Sequence, residues 1–383
     1  MSGEPAMPRK LLFVVNVDWF FVSHRLAIAT AAIAAGYEVH LAATFTDKRD
    51  EIEAHGIIAH PLAIRRGGAN PWSELQNLMR VFGLVRSLSP DVLHLVTIKP
   101  IIMGGLSARL LATRAVVMSV SGLGFVFSSN ARFAAAVRPL VLWLYRACFN
   151  REKLRVIFQN RTDQDTICAA TGLPIRKCVL IRGSGVDLDR FAPAPRAASK
   201  PIVVLAARLL KDKGIAEFVE AAKALRSRGV EARMCLVGEP DPESRASIEP
   251  AQLGSWRAEG AVELWGHRQD MPAVLQQASI AVLPSYYGEG VPKVLLEAAA
   301  CGCAVVTTDM PGCRDAITPG KTGLVVAPRD AEGLANAIER LLAEPALCNS
   351  MGRAGRTLAQ AEFGIGSVVA THLQIYAELL GPP

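Results

Sequence analysis

The run Pro284-Ser285-Tyr286-Tyr287-Gly288-Glu289-Gly290-Val291-Pro292-Lys293-Val294-Leu295-Leu296-Glu297 has three parts in a set order. It opens at the end of Ile280–Pro284, an apolar stretch of the kind that forms a strand buried on both faces. Gly288 and Gly290 then break the pattern, as a loop does. Pro292 suits the first turn of a helix, where its missing N–H has no intrahelical partner to lose, and the apolar residues after it continue the helix to Cys301. The N–H groups near Gly290 and Val291 are therefore expected at a helix N-terminus, where free amides and the dipole attract an anion. Two carboxylates flank this turn. Glu289 stands just before the helix and Glu297 about a turn and a half inside it, so both can reach one elongated ligand, Glu297 at a ribose diol and Glu289 at a sugar. The alternative for Glu297 is a surface helix charge. Val294, Leu295, Leu296 and Ala298–Ala300 surround it with apolar residues, and a carboxylate in that setting needs a partner.

Strand and helix patterns alternate outward from this point in both directions. Apolar runs predict strands at 11–17, 37–43, 57–60, 92–96, 116–120, 156–159 and 178–181, then at 202–206, 232–237, 261–264, 280–284, 304–308 and 323–326. Helices are expected at His24–Ala35, from Asp47, from Pro71 to Ser89, from Gly214, and at 273–277, 292–301, 331–343, 346–360 and 367–380. Between the two series, residues 183–200 hold Gly183, Gly185, Pro193 and Pro195 with little periodicity and read as a linker. The expected architecture is α/β: two Rossmann-like, doubly wound domains facing across a cleft lined by strand C-termini. Their expected bounds are 1–182 and 201–362, with a C-terminal helix in 363–383 packing back toward the first.

A second basic loop lies in the later half. After strand 202–206 comes Ala207-Arg208-Leu209-Leu210-Lys211-Asp212-Lys213-Gly214, which places Arg208 and Lys213 at a strand end. Two cations there suit a diphosphate and can neutralise charge as it leaves. The alternative is an ordinary solvated loop.

Charge is unevenly spread along the 383 residues. Residues 1–182 carry 22 Lys and Arg against 12 Asp and Glu, whereas residues 183–383 carry 20 against 23. An anionic partner for the first half follows. No helix-turn-helix, zinc-finger or aromatic RNA-binding signature accompanies that charge, so nucleic acid is not the expected partner. The eight cysteines form no CxxC pair and lie in apolar runs, as buried free thiols do in a reducing compartment. Cys301-x-Cys303 with Cys313 has poor spacing for zinc and no nearby His, and no metal or cofactor is expected. No apolar run reaches the roughly 18 residues of a membrane span. The expected location is cytoplasmic, at the inner face of the cell membrane. A dinucleotide-binding dehydrogenase is excluded by its first turn: Asn16-Val17-Asp18-Trp19-Phe20 contains no glycine, and Gly122-Leu123-Gly124 lacks the third.

Glu289-x7-Glu297, with Arg208 and Lys213-Gly214 upstream, resembles the donor site of glycosyltransferase family 4, which has the GT-B fold. The resemblance runs along nearly the whole chain and includes Gly185-Val186-Asp187-Leu188-Asp189-Arg190-Phe191, Cys301-Gly302-Cys303-Ala304-Val305-Val306 and Gly312-Cys313-Arg314-Asp315. It implies a metal-independent reaction that retains anomeric configuration. It also implies that Arg208 and Lys213 hold the diphosphate of a UDP-sugar donor, Glu297 its ribose and Glu289 its sugar. Asp187-x-Asp189, a metal motif in other glycosyltransferases, precedes Phe191-Ala192-Pro193 and reads as a turn.

The acceptor side departs from many family members, because no Gly-Gly loop follows the first strand. Ser23-His24-Arg25, Thr97-Ile98-Lys99-Pro100 and Ser121-Gly122-Leu123-Gly124 stand instead. This set is similar to the branch that adds N-acetylhexosamine to undecaprenyl-diphosphate sugars. The resemblance implies a lipid-linked sugar acceptor in the assembly of a surface glycan or glycoprotein oligosaccharide. His24, expected at a strand end, would bind or deprotonate the acceptor, with a packing histidine as the alternative. Lys99 would pair with the acceptor diphosphate, and Ser121 and Gly122 would line its site.

Residues 130–161 bear Arg132, Arg138, Arg146, Arg151, Lys153, Arg155 and Arg161 around Phe133, Leu140, Leu142, Trp143, Leu144 and Phe149. A basic helix with a Trp suggests contact with an anionic membrane surface; a helix covering the sheet is the alternative. Two other functions fit the same scaffold: a UDP-sugar epimerase or phosphorylase, and a catalytically silent membrane-associated scaffold.

Overall fold

The computed structural model of the protein describes residues 8–64, 71–124, 132–196, 200–242, 244 and 246–381. Two units share the chain: Met1–Ile181 with Gly366–Pro383, and Arg182–Ile365. The first is built on seven parallel strands, β1 (Arg9–Val17), β2 (Tyr37–Thr44), β3 (Ile58–Pro61), β4 (Val92–Val96), β5 (Ala115–Val120), β6 (Leu154–Phe158) and β7 (Cys178–Leu180). Their spatial order is β3-β2-β1-β4-β5-β6-β7. The second has six, β8 (Ile202–Ala206), β9 (Arg233–Val237), β10 (Glu263–Gly266), β11 (Ile280–Leu283), β12 (Ala304–Thr308) and β13 (Gly323–Val326), in the order β10-β9-β8-β11-β12-β13. Every strand expected from an apolar run is present.

The central strands are apolar at successive positions because both faces are covered. In the first sheet Leu12, Val14, Leu93, Leu95 and Met118 pack on one side with Val81, Ile101 and Tyr145. Their neighbours Leu11, Phe13, Val15, Val96 and Val117 pack on the other with Phe21, Ile28, Tyr376 and Leu379. The second sheet repeats the pattern, Val204, Leu283 and Val305 meeting Leu295, Leu296 and Phe363, and Val203, Val282 and Val306 meeting Phe218, Leu225 and Ile338. Each fully buried Leu, Val or Phe contributes about 1.5–3 kcal/mol of transfer free energy, which holds helices to both faces.

Both sheets reverse direction at their first strand. β1 pairs with β2 on one side and β4 on the other, Leu11 opposite Val39 and Val92. β8 likewise lies between β9 and β11, Val204 opposite Cys235 and Ala281. Loops leaving the C-terminal ends of two such neighbours diverge to opposite faces and open a crevice, where ligands bind in open α/β sheets.

Three expectations are revised. The helix expected at His24–Ala35 is two helices, Asp18–His24 and Leu26–Ala34, joined at Arg25. His24 thus ends a short helix and does not stand at a strand end. The first helix begins directly after β1 because Asp18 sits in its first turn, where a carboxylate complements the helix dipole. The stretch expected as a linker packs, over the described part of 182–196, within the second unit. Val186 donates its N–H to the Phe363 carbonyl, and Val186 and Phe191 are buried in that unit's core. Residues 197–199 lie outside the described set. The helix Ile365–Leu380 buries Val368, Ile375, Tyr376, Leu379 and Leu380 against the first sheet.

Candidate active site

In the second unit, the loops leaving β8 and β11 carry Arg208, Lys213, Glu289, Gly290 and Val291, and the helix after the β11 loop carries Glu297. Two glycines fix these loops. Gly214 adopts φ +73°, and a Cβ there would lie 2.2 Å from the Pro284 carbonyl oxygen. Gly312, in the loop after β12, adopts φ +84°, and its Cβ would lie 2.3 Å from the carbonyl oxygens of both Glu289 and Gly290. Such contacts admit no side chain, so glycine is required at both places. The Tyr286 N–H and the Ser285 hydroxyl donate to the Asp212 carbonyl at 3.0 and 3.1 Å, tying the β11 loop to the β8 loop.

The charged groups form pairs. Lys213 Nζ donates to Glu289 Oε2 at 2.5 Å, both side chains being mostly buried. Arg208 donates to Asp241 Oδ2 at 2.6 Å, the arginine half exposed and the aspartate buried. Lys293 Nζ lies 3.7 Å from Glu297 Oε1. Burial pushes the Glu297 carboxyl above its usual range, while Lys293 and Arg190 pull the other way. Burial likewise raises Asp212, against the charge of Lys213, and it also feels Glu289 and Arg208. Glu289 Oε1 and Asp212 Oδ1 are buried without a hydrogen-bond partner. A ligand with hydroxyls and a diphosphate meets this set: donors for the free carboxylate oxygens, and an anion to which paired cations can transfer. Pro292 is the N-cap of the helix Lys293–Ala300, one residue later than expected.

Asp241 was not singled out from the sequence. It lies in the loop after β9, the other neighbour of β8, and Gly238 before it at φ +135° is the available signal of a tight strand-end turn. Asp187 accepts N–H bonds from Asp189 and Arg190 at 3.1 and 3.0 Å, which makes Asp187-x-Asp189 a turn. Cys301, Cys303 and Cys313 are all buried, and burial pushes the Cys313 thiol up to about 12. Among the described residues no cluster of three or more His, Cys, Asp or Glu is arranged to hold a metal ion.

In the first unit, His24, Lys99, Ser121 and Gly122 follow β1, β4 and β5, three adjacent strands. The His24 ring stacks on Phe20 with centroids 4.1 Å apart, and its Nδ1 lies 3.1 Å from the Phe20 carbonyl oxygen. Lys99 Nζ pairs with Glu74 Oε1 at 2.6 Å, so its charge is already met. Asp18, fully buried, accepts from the N–H groups of Thr46, Lys48 and Trp19 and from the Thr46 hydroxyl. Burial alone would raise its carboxyl; those bonds outweigh it and hold it below 3.8.

On the helix Arg132–Phe149, Val141, Tyr145, Cys148 and Phe149 face the core, while Leu140 and Trp143 are 56 % and 63 % exposed. Arg146 and Arg151 donate to the carbonyls of Ala170 and Thr113, and Arg155 lies 3.8 Å from Glu378. Residues 130 and 131 and the side chains of Arg132 and Phe133 lie outside the described set. Among the described residues no helix is long and apolar enough to cross a membrane.

Comparison with known proteins agrees with this geometry. Residues 200–344 match the family model for glycosyl transferases group 1, and residues 10–160 match that for glycosyl transferase 4-like domains. The chain is 31 % identical over 296 residues to the N,N'-diacetylbacillosaminyl-diphospho-undecaprenol alpha-1,3-N-acetylgalactosaminyltransferase of Campylobacter jejuni, covering 74 % of this chain and 76 % of that one. Sucrose-phosphate synthase from Thermosynechococcus elongatus superposes with a TM-score of 0.77 at 22 % identity, covering 97 % and 99 % of the two chains. Anabaena HepE, solved in complex with UDP, gives a TM-score of 0.77 at 17 % identity over 97 % and 100 %. With two parallel sheets of the same strand order and carboxylates and cations gathered at the second reversal point, the chain belongs to the family 4-like glycosyltransferases of GT-B fold.

Proposed function

We propose that this glycosyltransferase moves an N-acetylhexosaminyl group from a UDP-sugar to a hydroxyl of a polyprenyl-diphosphate-linked sugar, with retention of configuration and without a metal. The observation that carries the proposal is the Lys213–Glu289 pair at 2.5 Å, on the loops that leave β8 and β11, together with the buried, elevated Glu297 in the helix that follows β11. Lys213 and Arg208 exchange their carboxylate partners for the donor diphosphate. Glu297 accepts from the ribose hydroxyls, and Glu289, released from Lys213, accepts from the sugar. The backbone near Gly290 and Val291 completes the anion site at the helix start.

In the reaction the bond from C1 of the sugar to the β-phosphate oxygen breaks as the acceptor oxygen bonds to C1. The acceptor proton passes to the departing phosphate. Charge grows on that phosphate, so Arg208, Lys213 and the helix N-terminus act more strongly in the transition state than before it. The Campylobacter relative's lipid-diphosphate acceptor and the UDP bound in the Anabaena structure support the choice of substrates. Exposed Leu140 and Trp143 support peripheral contact of the first unit with an anionic membrane, where such an acceptor resides. The proposal sets this contact at the cytoplasmic face of the membrane.

The test is a panel of nucleotide sugars offered with undecaprenyl-diphosphate sugars, in buffer with and without a chelator, and with product linkage assigned by NMR. A UDP-N-acetylhexosamine is expected to give an α-linked product, undiminished by the chelator. Release of an epimerised nucleotide sugar or a sugar phosphate, with no lipid product, would replace this proposal.

A further inference from the structure

A buried charge in the first unit has no counter-ion among the described residues. Arg25, at the joint between the helices Asp18–His24 and Leu26–Ala34, is 3 % exposed. It donates to the His24 carbonyl at 2.9 Å and to the Ser121 hydroxyl at 3.4 Å, and its Nε has no acceptor. Among the described residues no carboxylate pairs with it. Its other neighbours are neutral. His94 is fully buried between the Tyr376 hydroxyl at 2.7 Å and the Ser119 hydroxyl at 2.8 Å. Burial, and then the Arg25 charge, hold His372 down at about 3. Burial lowers the guanidinium only to about 10, so it stays charged at neutral pH. An unpaired buried charge costs a fold several kcal/mol, a cost that an anion from outside would offset.

The surrounding sheet edge is built for one. Asn16 is the last residue but one of β1, Thr97 follows β4, and Ser121 and Gly122 follow β5. Asn16 Oδ1 and Thr97 Oγ1 are buried without partners. Thr97 is held at φ +75°, a strained conformation for a β-branched residue, and Gly122 adopts φ +98°. Lys99, the cation expected to meet an acceptor diphosphate, is occupied by Glu74, whereas Arg25 is not neutralised.

We propose that this edge of the first unit is a subsite for the phosphate groups of the acceptor, with Arg25 as its buried counter-charge acting through Ser121. Because the Ser121 oxygen accepts from Arg25, its own proton is free to be given to a phosphate oxygen. Arg25 is thus a positioning residue. The subsite deepens the acceptor assignment above and rests on it for the identity of the ligand.

The experiment has two arms. Inorganic pyrophosphate is titrated calorimetrically into full-length protein carrying Arg208→Ala and Lys213→Ala, which removes the two cations assigned to the donor diphosphate. Binding is expected, weakened about tenfold or more by adding Arg25→Gln, weakened less by Ser121→Ala, and partly restored by Arg25→Lys, as for a charge-assisted contact. In the otherwise unaltered enzyme, Arg25→Gln should raise KM for the polyprenyl-diphosphate acceptor about tenfold while kcat and the donor KM change little, the pattern of lost uniform binding. Equal pyrophosphate affinity with and without Arg25 would overturn the subsite, as would a fall in kcat at unchanged acceptor KM. If Arg25→Gln does not fold, Ser121→Ala and Arg25→Lys decide the matter by the same readings. Arg25-dependent pyrophosphate binding in a protein that transfers no sugar would uphold the subsite and remove the transferase substrates proposed above.

Discussion

At the second unit's reversal point, Lys213 meets Glu289, Arg208 meets Asp241 and Lys293 approaches Glu297. At the first unit's, the helix start is closed by Asp18 and its four internal hydrogen bonds, and Arg25 has no carboxylate partner among the described residues. The strand order on either side is the same. Topology therefore locates a crevice in each unit but leaves its chemistry to the loops. Paired cations on one side can change partners when a diphosphate arrives, so each cation has an anionic partner with or without the ligand. A carboxylate used up inside the protein, as Asp18 is, stiffens the edge of the site and takes no part in binding.

The contrast can be broken most sharply at the pairs. Lys213→Ala and Glu297→Ala should each lower turnover by a factor on the order of 10²–10³, by analogy with loss of one oxyanion donor. Both variants should stay folded, with Lys213→Ala melting at a lower temperature because it leaves Glu289 unpaired. Steady-state rates beside calorimetric melting check this, and near wild-type turnover in either variant would move catalysis away from this loop set. A smaller effect belongs to the glycine that seats Glu289. Gly312→Ala forces a Cβ to 2.3 Å from two carbonyl oxygens, so it should destabilise the second unit by about 1–3 kcal/mol, read from the denaturant midpoint. Smallest is the effect in the first unit. Asp18→Asn should cost about 1–2 kcal/mol near neutral pH through weakened hydrogen bonds to a charged acceptor. The folded carboxyl titrates below 3.8, so its contribution is complete above that pH and is lost as acid protonates it in the folded state. Stability curves of the two proteins should converge as pH falls below 3.8; a gap that persists there would assign the loss to packing.

Strands were the legible part of this chain, because a parallel sheet covered on both faces needs unbroken apolar runs and thirteen of them stand in the sequence. The helix Ile98–Leu110 was harder to see, since Pro100, Gly104 and Gly105 look like breakers. In the fold the glycines permit close packing: a Cβ at Gly104 would lie 2.2 Å from the Leu95 side chain and one at Gly105 2.6 Å from Cys148 Sγ. In the candidate site, Glu289, Glu297, Arg208 and Lys213 could be picked out because they cluster around strand-to-helix turns. Their pairing could not. Asp241 reaches Arg208 across 33 positions and Glu289 reaches Lys213 across 76, distances over which no local pattern speaks. Arg25 was hidden for another reason. Ser23-His24-Arg25 stands out on the acceptor side, but only the break between the two helices turns Arg25 inward.

The hydrogen bond from His94 to Tyr376 joins residues 282 positions apart, and the surrounding core also takes Val368, Ile375, Leu379 and Leu380 from the last helix. A ribosome therefore releases this piece of the amino-terminal layer only after synthesising the whole of the intervening unit. Until then the face of Leu11, Phe13 and Val117 is covered only in part, by Phe21 and Ile28, while the intervening unit is free to mature first, contrary to the usual order of synthesis. Nascent chains arrested before residue 365 should accordingly engage chaperones, and release from them should coincide with emergence of the final sixteen-residue helix.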